Sequence, residues 1–178
     1  MLPEKECRVL KCDNPFWRFS VAVYAQPGVA DECLALQNAF DIDVNVLLFC
    51  AWLGAERQLV LDDKALAAIE ARAERWHGAV VRPLRAVRQT MKPMPDMADD
   101  AVKALRKDIA AAELRAEQIE QAQLFEISDA IAQGANAATG DAVAANVAAF
   151  LHRQAKGAES PPPHRLIAAA SSRPALDL

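Results

Sequence analysis

The chain is poor in the residues that small folds most often use for chemistry. Its 178 residues include three histidines, four cysteines, six glycines and a single tyrosine. His77, His152 and His164 are scattered, and Cys7-x4-Cys12 has no second close pair. A structural zinc site wants two local ligand pairs, so no metal and no cofactor is expected. P-loop, G-x-G-x-x-G, G-x-S-x-G and H-E-x-x-H patterns are all missing, which argues against an enzyme and nominates no catalytic residue. The longest apolar run, Val44 to Leu53, is interrupted by Asn45 and falls well short of the ~20 residues of a membrane span. The first eleven residues are charged and lack the apolar centre of a secretory leader. With the thiols read as reduced, these points predict a cytoplasmic protein. A basic excess is missing too. The net charge is −4 and the pI about 5.4, whereas dedicated nucleic-acid domains are usually basic, so a nucleic-acid partner is disfavoured.

What the chain does have is alanine, 38 residues of it. Hydrophobic residues reach 53% and mean hydropathy is +0.01, values that exclude wholesale disorder. The aromatic residues are lopsided: seven of the ten fall within residues 16–52. The composition therefore describes a well-packed front and an alanine-padded back.

Helical signals cover most of the chain. Asn14-Pro15 is a helix start, and Pro27-Gly28 a turn before a second helix over 29–40. Asp41 or Asp43 caps a third helix over 44–54, apolar nearly all round and therefore central. Asp62 or Asp63 caps a fourth. Its apolar series is Leu66, Ile69, Ala73, Trp76, Val80, Leu84, Val87 and Met91. The series keeps helical phase through Gly78 and Pro83, predicting one kinked helix or two meeting near 78–82. After the breaker at Lys92–Pro95, a long helix over 97–133 would use a seam of Val102, Leu105, Ile109, Ala112, Ala116 and Ile119. A last helix spans 141–155. Leu59-Val60-Leu61 is too short to build a sheet. The expected fold is all-α: a compact multi-helix bundle with one long helix, an alanine-rich C-terminal helix and a disordered tail. A single domain covers 14–155, with its core in 14–92, followed by a flexible Pro-rich segment over 156–178.

The front carries a dense pattern: Asn14-Pro15-Phe16-Trp17-x-Phe19-Ser20, then Tyr24, Pro27-Gly28-Val29, Cys33-Leu34-x-Leu36-Gln37 and Asp43-Val44-Asn45-x-Leu47-Leu48-Phe49-Cys50-x-Trp52. Over residues 14–92 it resembles a bacterial family of conserved hypothetical proteins with no assigned function. The resemblance implies a small helical cytoplasmic protein and transfers no catalytic residue.

Two constellations stand out. The first is a polar set inside the apolar front: Ser20, Tyr24, Gln37 and Asn45, walled by Trp17 and Trp52. A buried amide needs partners. Asn45 therefore belongs either to a register-fixing network with Gln37, Tyr24 or Ser20, or to a pocket that grips a polar ligand. The second is a basic stripe of Arg82, Arg85, Arg88 and Lys92, extended by Arg75, in a segment without any acid from 75 to 95. It could contact an anionic partner, or complement the chain's own acidic helix at Glu113, Glu117 and Glu120. His77 reads as a helix-surface histidine. These features favour a non-catalytic protein-interaction or regulatory module, with a protein partner or self-association. The alternatives are a small-ligand or nucleotide-binding regulator using the polar set, or weak anion and nucleic-acid binding by the stripe.

Overall fold

The computed structural model describes residues 9–137, 140–156 and 160–172; Cys7 lies outside them. Helix α1 (Pro15–Tyr24) begins where the sequence places it, with Asn14 Oδ1 accepting the Trp17 N–H at 2.9 Å and Pro15 in the first turn. Gly28, at φ 77°, turns the chain into α2 (Val29–Phe40). Asp43 Oδ1 accepts the Asn45 N–H at 2.8 Å and opens α3 (Val44–Arg57). Asp62 caps α4 (Asp63–Trp76), which runs through a π-helical turn, His77–Val81, into α5 (Arg82–Met91). In that turn the Arg82 N–H reaches back five residues to the His77 carbonyl. Pro83 has no N–H to offer, and the wide turn lets the helix pass it without stopping.

A 3₁₀ turn, Pro95–Ala98, leads into α6 (Asp100–Glu126), followed by α7 (Ser128–Gly134), α8 (Ala142–Gln154) and α9 (His164–Ser171). The class is all-α. Two residues on each side, β1 (Leu59–Val60) and β2 (Asn136–Ala137), form a small antiparallel pair. No helix among the described residues is long and apolar enough to cross a membrane.

Helix α3 is the axis of the molecule, buried without interruption from Asn45 to Gly54. Trp52 packs at 5.7 Å, centroid to centroid, on each of Phe16, Phe49 and Phe125. Helix α8 lies against α3 so closely that a Cβ on Gly54 would meet the Val143 backbone nitrogen at 2.7 Å. The buried Asn146 of α8 donates to the Cys50 and Leu59 carbonyls and accepts the Leu61 N–H, tying β1 to both helices.

Three expectations change. The helix expected over 97–133 is α6 plus α7, parted at Ile127. Of its expected seam only Ala116 is buried, while Leu105 is 55% exposed. The face turned inward is instead Glu113, Ala116, Glu120, Gln121 and Leu124, because that face meets arginines, a histidine and the aromatic core. Finally, the segment expected to be flexible contains α9, with Leu166 and Ala170 fully buried. The Glu32 carboxylate accepts the Arg165 and Leu166 N–H groups at 3.0–3.1 Å and caps this helix from α2. Residues 157–159 and 173–178 of the expected tail lie outside the described residues.

Candidate functional site

Helices α1, α2, α5 and α6 and the start of α3 surround a cleft of about 580 Å³. That is the size of a small-molecule site. Trp17, Tyr24 and Leu48 supply apolar wall, and Val21, Leu34 and Leu114 rim the mouth at 45–56% exposure. Gln37, Asn45 and Gln121 contribute amides. Ser20 Oγ and Gln121 Oε1 are buried without a hydrogen-bond partner.

One side of the cleft is a charged lattice. Arg85 donates from Nε to Glu113 at 3.0 Å, from Nη2 to Glu117 at 2.6 Å and from Nη1 to the Gln37 side-chain carbonyl at 2.9 Å. Arg88 clasps the same Glu113 carboxylate with Nε and Nη2. Burial works to raise the Glu113 carboxyl, but the bonds from Arg88 and Arg85 win and hold it below its ordinary range. At Glu117 burial wins over Arg85 and the carboxyl is pushed up.

Behind the cleft floor lies a second, deeper group. His77 Nδ1 stands 3.1 Å from Asp43 Oδ2 and 3.2 Å from Glu120 Oε2. Asn45 connects it to the cleft: its Nδ2 donates to Glu120 at 3.2 Å, and its Oδ1 accepts from Gln121 Nε2 at 2.8 Å. Burial and the neighbouring Asp43 push the Glu120 carboxyl well above the usual carboxylate range. Burial would lower the His77 imidazole, yet the two carboxyls outweigh it and raise it. Asp43 stays low despite its burial, through Glu120 and His77. The cluster thus favours an imidazolium and one negative charge on two carboxyls.

The structure brings Trp17, Ser20, Tyr24, Gln37 and Asn45 to one cleft, and sets Arg85 and Arg88 of the basic stripe in its wall. Trp52 does not join them, being fully buried in the aromatic core. Arg75, Arg82 and Lys92 remain on the surface, where Arg82 reaches Glu74 at 3.5 Å. The partners of Asn45 are Glu120 and Gln121 of α6, distant in sequence, rather than Gln37, Tyr24 or Ser20. His77 is 3% exposed and not on the helix surface. Its spacing carried the signal: it lies four residues after Ala73 of the apolar series. Glu113, Glu117 and Glu120, at i, i+4 and i+7, likewise mark one stripe of α6.

The model of a family described only as proteins of unknown function, DUF2390, matches residues 15–124. The chain belongs to this family. The DUF2390 match runs from α1 to the last turns of α6, so it includes the whole cleft and the Asp43–His77–Glu120 group, and stops before α7, α8 and α9. No curated protein and no solved structure matches the chain.

Proposed function

We propose that this chain is a non-catalytic regulator that binds a small amphipathic molecule in the cleft of α1, α2, α5 and α6. The ligand class is a planar ring carrying amide-like or hydroxyl groups and little net charge. The observation that carries this reading is the pair of buried unpartnered atoms, Ser20 Oγ and Gln121 Oε1, in a cleft walled by Trp17 and Tyr24. Each such atom costs about 1–3 kcal/mol unless a partner completes it, and a ligand bearing a donor for Gln121 and a partner for Ser20 does so. The charge preference follows from the lattice: two arginines face two glutamates, leaving no surplus charge to attract a strong anion. Exposed Val21, Leu34 and Leu114 at the mouth also suit a side chain of a protein partner, which keeps the interaction-module reading attached to this same site.

The test is an NMR titration of the full chain with nucleosides, aromatic amino acids and aromatic carboxamides. The expected result is saturable shifts at the Trp17 indole and the Gln37, Asn45 and Gln121 amides, weakened at least about fivefold by Trp17→Ala, a loss of about 1 kcal/mol. Saturable shifts confined to another surface, or none at millimolar ligand, overturn it.

A further inference from the structure

We propose that Asp43, His77 and Glu120 form a binding site for a divalent first-row transition cation, zinc being the best match. This goes beyond the cleft reading and does not depend on it. The three side chains come from the cap of α3, the π turn and α6, and one donor atom from each lies within 4.8 Å of the others. Zinc bonds of about 2.0–2.1 Å in tetrahedral array place neighbouring ligand atoms about 3.3 Å apart. His77 Nδ1 already lies 3.1 and 3.2 Å from the two carboxyl groups.

The carboxyl groups are arranged as ligands with their outer partners in place. Asn45 occupies one oxygen of each: its backbone N–H takes Asp43 Oδ1 at 2.8 Å and its Nδ2 takes Glu120 Oε2. Of the other two oxygens, Asp43 Oδ2 faces His77 Nδ1 at 3.1 Å, and Glu120 Oε1 is buried with no hydrogen-bond partner on a fully inaccessible side chain. Orienting second partners of this kind are a regular feature of metal sites. One imidazole with two carboxylates is a nitrogen–oxygen donor set, suited to zinc, iron or manganese and poorly suited to magnesium. Three protein ligands leave a coordination position open. Cavities reach two of the three side chains: Asp43 lines one of about 380 Å³ beside α4 and α8, and His77 lines one of about 240 Å³ between α2 and α5. The π turn that aims His77 inward is the kind of helix irregularity that recurs at functional sites.

The test uses the full chain, stripped with chelator and titrated with Zn²⁺ against a competing chromophoric chelator. X-ray absorption is then recorded on the one-equivalent complex. The expected result is one Zn²⁺ per chain, unaffected by a hundredfold excess of Mg²⁺, with a nitrogen–oxygen shell containing one imidazole and no sulfur. Asp43→Asn and Glu120→Gln, each verified as folded by circular dichroism, weaken binding more than about tenfold, the lower end of losses seen even for outer partners. Where a variant does not fold, the absorption spectrum of the unaltered chain decides. Unchanged affinity in folded Glu120→Gln, a sulfur or second imidazole in the shell, displacement by Mg²⁺, or no binding below millimolar Zn²⁺ each overturns the proposal.

Discussion

Gln121 Nε2 donates to Asn45 Oδ1 at 2.8 Å, fastening the first turn of the central helix to the middle of the longest one. Asn45 passes its own Nδ2 proton on to Glu120, so one amide joins the cleft to the buried Asp43–His77–Glu120 group. Replacing Asn45 with leucine leaves Gln121 Nε2 and Glu120 Oε2 each short of a partner in a buried setting. The expected loss is about 2–4 kcal/mol: Gln121 Nε2 is left unsatisfied, at about 1–3 kcal/mol, and Glu120 Oε2 keeps only His77. Urea unfolding of Asn45→Leu measures it, and a loss below about 0.5 kcal/mol contradicts the arrangement.

The two glutamates bound by Arg85 should respond oppositely to neutralisation. Glu113 is held low in the folded state, so its contribution is present above its ordinary value and is lost as pH falls through the folded one. Glu113→Gln should therefore cost about 1.5–3 kcal/mol at pH 7 and much less under strongly acid conditions. Glu117 is held high by burial, so the folded state favours its protonated form at low pH and gives up that advantage as pH rises. Glu117→Gln, which keeps an oxygen for Arg85, should be neutral or stabilising at pH 7. Denaturant midpoints across the pH range compare the two.

Gly54→Ala should lower the melting temperature although alanine is the better helix former. The added Cβ meets backbone atoms of Ala142 and Val143 at 2.7–2.9 Å, and backbone cannot swing aside. The strain outweighs the gain of about 1 kcal/mol from helix propensity. Gly134→Ala, where nothing lies within 4 Å, is the control and should be neutral or mildly stabilising in the same calorimetric scan.

Glu32→Ala should loosen α9. The carboxylate is the described cap of that helix, and losing a cap costs about 1 kcal/mol. Trypsin cleavage after Arg165 reads the effect directly. Faster cleavage at this bond, with other sites unchanged, is the expected outcome; an unchanged rate means that burial of Leu166 and Ala170 alone holds the helix.

Helix starts were legible because capping is local chemistry: Asn14, Asp43, Asp62 and Asp141 each accept a backbone N–H within three residues. The central place of α3 was equally legible, since a helix apolar on every side has nowhere else to go. The polar set was legible as a set because Trp17, Ser20 and Tyr24 share one helix and Gln37 and Asn45 lie on the next two. Alanine hid the rest. A helix padded with small apolar residues offers several plausible seams, and the choice on α6 fell to Glu113, Glu117 and Glu120, which a hydrophobic count assigns to solvent. Their partners lie 25 to 77 residues away, at Arg88, Arg85, His77 and Asp43. The docking of α9 through Glu32 spans 133 residues and leaves no local trace.

By itself, then, the sequence determined the helical class, the caps and the aromatic axis, all properties that depend on a residue and its near neighbours. Only the tertiary structure decided which carboxylates turn inward, where His77 points and what Asn45 holds. A buried charge or amide is tolerable only beside its partner, and the partner's place is set by how the helices pack.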